Sequence, residues 1–108
     1  MRELVPTCTP NVVVSAPQKT RLIDVRKAAA RRESGQRIVG SVWVDPDDLN
    51  PKHPLFDNPA PLTFFCVHGH EVSTYACALA RYLGREARMV SGGFEALVAA
   101  GAQTEAFE

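Results

Sequence analysis

Cys66 is where this chain could do covalent chemistry. It ends the apolar run Leu62-Thr63-Phe64-Phe65, and Val67-His68-Gly69-His70-Glu71-Val72-Ser73 follows it as a short glycine-containing loop opening into a helical pattern. A thiol at a strand's carboxyl end and before a helix start sits among backbone N–H groups and at the positive end of a helix dipole. Such a setting favours a thiolate and attracts an anion. The other two cysteines, Cys8 and Cys77, lack it. A free cysteine is most often inert packing, and that is the expectation for both.

The elements that must position Cys66 follow from the pattern around it. Leu62 to Val67 is nearly continuous in apolar residues, the mark of a strand buried on both faces of a parallel sheet, and is expected to be the central strand. Val72, Tyr75, Ala76, Leu79, Ala80 and Leu83 recur at helical steps until Gly84, with Cys77 off that stripe. Upstream, Leu22-Ile23-Asp24-Val25-Arg26 is a short β-branched strand, and Lys27 to Glu33 a run of helix formers stopped by Ser34-Gly35. Ile38 to Val44 supplies a second β-like run with Gly40 inside it. Asp45 should cap a single turn that has Pro46 at its first position.

Four prolines between positions 50 and 61 make that stretch a surface loop or short turns. Ala87 to Val90 is a last short strand, Ser91-Gly92-Gly93 a turn, and Phe94 to Ala100 a helix closed by Gly101. The first 20 residues are expected to be an arm, with a short strand at Val12-Val13-Val14, and residues 102–108 a frayed tail. Strands alternating with helices imply an α/β domain, its sheet mainly parallel with helices on both faces. Ligands of such sheets bind beyond the carboxyl ends of the strands, which selects Cys66 to Ser73 along with the strand ends at Asp24 and Ser91.

Composition bounds the rest. A chain of 108 residues holds one core. Twelve Lys plus Arg against twelve Asp plus Glu give no electrostatic reason to expect nucleic acid or an acidic membrane surface as partner. The first residues hold no apolar stretch of the length a secretory signal needs, and a cytoplasmic protein is expected. Three cysteines without C-x-x-C spacing argue against a disulfide framework and a zinc finger. Trp43 and the acidic residues Asp45, Asp47 and Asp48 are explained by a core tryptophan and a capped turn, and Arg31 and Arg32 by a solvated helix face.

Four motifs in order then resemble the rhodanese family: Leu22-Ile23-Asp24-Val25-Arg26, Gly35-Gln36-Arg37-Ile38-Val39-Gly40, Cys66 opening a six-residue loop, and Gly92-Gly93-Phe94 before the final helix. The match runs from about Arg21 to Gly101, so residues 21–101 are expected to form a rhodanese-like domain. The resemblance implies a catalytic Cys66 and sulfur transfer through a cysteine persulfide, from a small donor (thiosulfate or a persulfide) to a thiol or protein acceptor. It also implies that the N–H groups of Val67, His68, Gly69, His70, Glu71, Val72 and Ser73 cradle the substrate anion or terminal sulfur. Asp24 and Arg26 would brace the loop from below. The alternative is a catalytically weak module that carries sulfur or binds a partner.

Departures from the family pattern sharpen this. Many active members hold a Lys or Arg within or just after the loop, whereas residues 67–73 hold none and include Glu71, which weighs against thiosulfate as the physiological donor. The phosphatases and arsenate reductases of this fold close a C-x5-R loop with arginine, where this chain has Val72. Without that guanidinium fork a tetrahedral oxyanion is poorly held, so phosphatase activity is not expected. Cys66, His68 and His70 form Cys-x-His-x-His, but alternate side chains on an anion-cradling loop point outward, so neither a metal nor another cofactor is expected. Glu71 reads as a first-turn carboxylate favoured by the helix dipole.

Overall fold

The computed structural model describes residues 6–16, 20–67 and 71–107. Along the chain these form β1 (Thr7–Cys8), α1 (Pro10–Ser15), β2 (Arg21–Asp24), α2 (Ala28–Ser34), β3 (Gln36–Ile38), β4 (Val42–Trp43), β5 (Leu62–Phe65), α3 (Glu71–Tyr82), β6 (Ala87–Val90), α4 (Gly93–Ala99) and β7 (Thr104–Ala106). Five strands make one sheet in the order β1-β6-β5-β2-β4, every neighbouring pair parallel. The apolar run before Cys66 is its middle strand, and all four β5 residues are buried.

Alternation along β5 divides the core between two faces. Phe64 packs with Ile23, Ala76, Cys77 and Ala80 on the side covered by α3, while Phe65 packs with Val13, Ile38, Val90 and Leu97 on the side of α1 and α4. Side chains of this size contribute about 1.5–3 kcal/mol each when fully buried, so the two layers hold the central strand in place. No helix of the described residues is long and apolar enough to cross a membrane.

Register decides what meets Cys66. Asp24 pairs with Phe65, and the Val25 N–H donates to the Phe65 carbonyl at 2.9 Å, so the residues following β2 and β5 leave the sheet side by side. Gly35 caps α2 at φ 70, a left-handed position that glycine takes without a Cβ penalty. Asp45 caps its turn as expected, its side chain accepting from the Asp47 N–H at 3.0 Å. The proline-rich crossing is partly inward: Leu55 and Phe56 sit in a short 3-10 turn and are buried.

Several local expectations are corrected. Val12, Val13 and Val14 lie in α1 and not in a strand, because Pro10 starts a helical turn and Val13 is buried against the α4 side of the core. Within the expected arm, the strand is Thr7–Cys8, paired to Met89–Val90. The run from Ile38 to Val44 is two strands in different sheets, broken by a turn at Gly40, whose φ is 88. The tail expected to fray holds β7, antiparallel to β3. All three β7 residues are exposed, so no apolar pattern announced them. The buried face of α3 is rotated from the expected stripe: Ser73, Ala76, Cys77 and Ala80 are buried, while Tyr75 is 53 % exposed.

Candidate active site

Cys66 is the first residue past β5 and is 8 % exposed. Its carbonyl accepts the Phe94 N–H at 2.7 Å, which ties the strand end to the start of α4. The turn supplying Phe94 is narrow. Gly92 has φ 84, and a Cβ there would come within 2.6 Å of the Ala96 Cβ, so this position needs glycine on two counts.

Beneath the strand end lies a buried ion pair. Asp24 and Arg26 are each 1 % exposed. The Arg26 Nε donates to both Asp24 carboxylate oxygens at 3.1 Å, its Nη2 donates to Oδ2 at 2.9 Å and its backbone N–H to Oδ1 at 2.9 Å. Nη2 also donates to the Gln36 carbonyl at 2.9 Å, and the guanidinium lies 4.2 Å from the Phe94 ring centroid. Two charges are tolerated in so dry a place because they pair with each other and share several hydrogen bonds. Phe94 stacks in turn on Phe65, with centroids 6.4 Å apart.

A second layer holds the pair. The Trp43 Nε1 donates to the Arg26 carbonyl at 2.8 Å. Arg31, expected on a solvated face, has its guanidinium between the Trp43 ring at 4.5 Å and the Phe107 ring at 4.2 Å, with its Nε 3.9 Å from Asp24 Oδ2. Neither Trp43 nor Arg31 was singled out for this role from sequence, because the contacts join residues far apart in the chain.

Beside Cys66 opens a cleft of about 480 Å³, to whose lining Arg26, Lys27, Ala30, Val67, Glu71 and Val72 also contribute. Sequence reasoning missed Lys27. The signal was available in its place just past the carboxyl end of β2, the strand next to β5. Glu71, Val72 and Ser73 open α3, so their N–H groups lack intrahelical acceptors. Ser73 is fully buried, and its hydroxyl has no hydrogen-bond partner among the described residues. His68, Gly69 and His70 lie outside the described residues. No group of three or more potential metal ligands occurs among the described residues.

Cys77 and Cys8 stand differently. Cys77, fully buried under α3, has its thiol pushed up to about 11, chiefly by burial, with Cys8 adding slightly and Arg81 opposing. Burial likewise raises the Cys8 thiol, partly offset by Arg88. Both are protonated thiols at neutral pH.

A parallel α/β sheet with a thiol just past the carboxyl end of its middle strand, and a buried Asp–Arg pair at the end of the adjacent strand, defines the class of domain. A model of the rhodanese-like domain matches residues 9–100, and the chain belongs to that family. Among solved structures it is similar to a rhodanese-related protein from Thermoplasma volcanium, at 18% identity and TM-score 0.79 over 93% of this chain and 97% of that one. It is also similar to a thiosulfate sulfurtransferase from Pseudomonas aeruginosa, at 24% identity and TM-score 0.76, with 98% of this chain spanning 20% of that one. A protein of unknown function from Rhodopseudomonas palustris, described as a possible tyrosine phosphatase, gives 22% identity and TM-score 0.79 over 94% and 85% of the two chains. At such identities the likeness is one of fold. No curated protein matches the sequence.

Proposed function

We propose that this domain is a sulfurtransferase that moves sulfane sulfur from a small donor to a thiophilic acceptor through a persulfide on Cys66. The observation that carries this is the placement of Cys66: it follows directly on the middle strand, opens onto a cleft, and precedes a helix start whose first N–H groups lack intrahelical acceptors. The rhodanese-like family includes sulfurtransferases as well as many members without catalysis.

In the first half-reaction the Cys66 thiolate attacks the donor's terminal sulfur. A Cys66–sulfur bond forms, the donor's own bond to that sulfur breaks, and the donor remainder leaves with the electron pair. In the second, an acceptor thiolate attacks the outer sulfur and Cys66 leaves as thiolate. The N–H groups of residues 67–73, His68, Gly69 and His70 included, would hold the charge that develops on sulfur at little reorganisation cost. The Asp24–Arg26 pair would keep the strand end rigid while this happens. Three unpaired cysteines suit a reducing, cytoplasmic setting for such chemistry.

Sulfur suits this site better than phosphate. The sixth residue after Cys66 is Val72, an apolar part of the cleft lining where a phosphatase loop of this type ends in arginine. Mass spectrometry after incubation with a sulfane-sulfur donor, together with thiosulfate-to-cyanide turnover, tests the assignment. An added mass of about 32 Da on Cys66, absent from Cys66→Ser, is expected. A persulfide without turnover would make the domain a sulfur carrier, and neither signal would overturn the assignment.

A further inference from the structure

The cleft beside Cys66 carries two opposite charges. Lys27 stands just past the end of β2 and Glu71 opens α3, and both line the hollow that Cys66 enters. Each side chain is exposed, and neither takes part in a salt bridge among the described residues. Arg26, the remaining charge in the lining, is already neutralised by Asp24. Between these groups the surface is apolar, formed by Ala30, Val67 and Val72.

A ligand matched to this arrangement has one negative group, one positive group, a short carbon frame, and sulfur at the reacting end. A small inorganic dianion is a poor match. It would meet repulsion from Glu71 along with attraction to Lys27, and it offers no cation and no carbon to the rest of the lining. An amino-acid persulfide satisfies all four demands.

Building on the sulfur-transfer function above, we infer that Lys27 and Glu71 select a zwitterionic, low-molecular-weight persulfide of the cysteine type, Lys27 taking the α-carboxylate and Glu71 the α-ammonium. A cysteine persulfide inside a polypeptide has both α-groups tied up in peptide bonds, so a free amino acid is the fitting donor. In the transfer, the Cys66 thiolate attacks the outer sulfur of R–S–SH. The donor S–S bond breaks, R–S⁻ departs with the electron pair, and the proton stays on the transferred sulfur, giving Cys66–S–SH with no net change in oxidation state.

Four small persulfides that differ in their charged groups test this: those of cysteine, 3-mercaptopropionate (carboxylate only), cysteamine (ammonium only) and 2-mercaptoethanol (uncharged). Loading of Cys66 is followed by mass, and each rate is divided by that of the uncharged donor in the same protein. The wild type should prefer cysteine persulfide over either singly charged donor. Glu71→Gln should lose about three- to fivefold of the preference over 3-mercaptopropionate, and Lys27→Gln about as much of that over cysteamine, the scale of a partly screened charge contact. Both preferences should shrink in high salt. Equal wild-type rates for the four donors, or preferences that survive both substitutions, would overturn the inference while leaving sulfur transfer intact. Failure of every donor to load Cys66 would remove sulfur transfer itself, and donor selection with it.

Discussion

Cys66 and Cys77 are the same side chain eleven positions apart, both nearly or fully buried, yet the chain surrounds them in opposite ways. Around Cys66 the contacts are directional: the Phe94 N–H meets its carbonyl, and the hydrogen-bonded Asp24–Arg26 pair lies at the end of the adjacent strand β2. Cys77 is held by the sheet-facing side of α3, among apolar neighbours such as Ile23, Phe64 and Ala80. Burial alone therefore does not tell the two thiols apart. What separates them is a cleft next to a helix start in one case and a closed apolar wall in the other.

The largest test of that contrast is chemical. Iodoacetamide at pH 7 should label Cys66 and spare Cys77, because a thiol raised to about 11 is ionised in about one molecule in ten thousand at that pH. Comparable labelling of both in the folded protein would break the comparison. Next comes the ion pair. Arg26→Ala strands the Asp24 carboxylate in a dry site and should cost about 3–5 kcal/mol in urea unfolding. By contrast, the part-exposed pair of Arg37 and Glu105 should be worth at most about 1 kcal/mol in the same measurement. Gly92→Ala follows at about 1–3 kcal/mol, combining the positive φ with the overlap at Ala96.

The smaller effects lie under α3. The folded Cys77 thiol titrates above its ordinary value of 9.0, so its contribution to stability is complete below about pH 9 and is lost as pH rises toward about 11. Cys77→Ala should remove that alkaline decline from a stability-versus-pH series, for about 1 kcal/mol of lost packing. Ser73→Ala removes a buried hydroxyl that has no partner among the described residues and should be neutral or stabilising by up to about 1 kcal/mol. A clear loss of stability would show that the Ser73 hydroxyl has a partner after all.

What the sequence made legible was local. The unbroken apolar run of β5, the aspartate cap at Asp45 and the glycine stops at Gly35, Gly84 and Gly101 each act within a few residues, and each lies where its chemistry requires. The parallel sheet followed from their alternation. Long-range contacts left no such trace. Phe107 touches Arg31, Trp43 holds the Arg26 carbonyl, and β7 finds β3 through exposed residues without apolar alternation. The rotation of α3 escaped notice because Ser73 and Cys77 look less apolar than Val72 and Tyr75, although small side chains let a helix sit closest to a sheet. In the candidate site, Cys66 stood out by its place between strand and helix and the Asp24–Arg26 pair through the family resemblance, whereas Lys27 needed the sheet order to bring β2 beside β5.

The pairing of β3 with β7 also bears on how the protein reaches this state. Arg37 and Glu105 meet across 68 positions, and Gln36 in that same strand gives its carbonyl to Arg26. Loop closure over such a span is slow relative to the nearer β2–β5 and β5–β6 pairings that seat the middle strand. The support under Cys66 would then be completed late in folding, after the strand that carries the thiol is already in place.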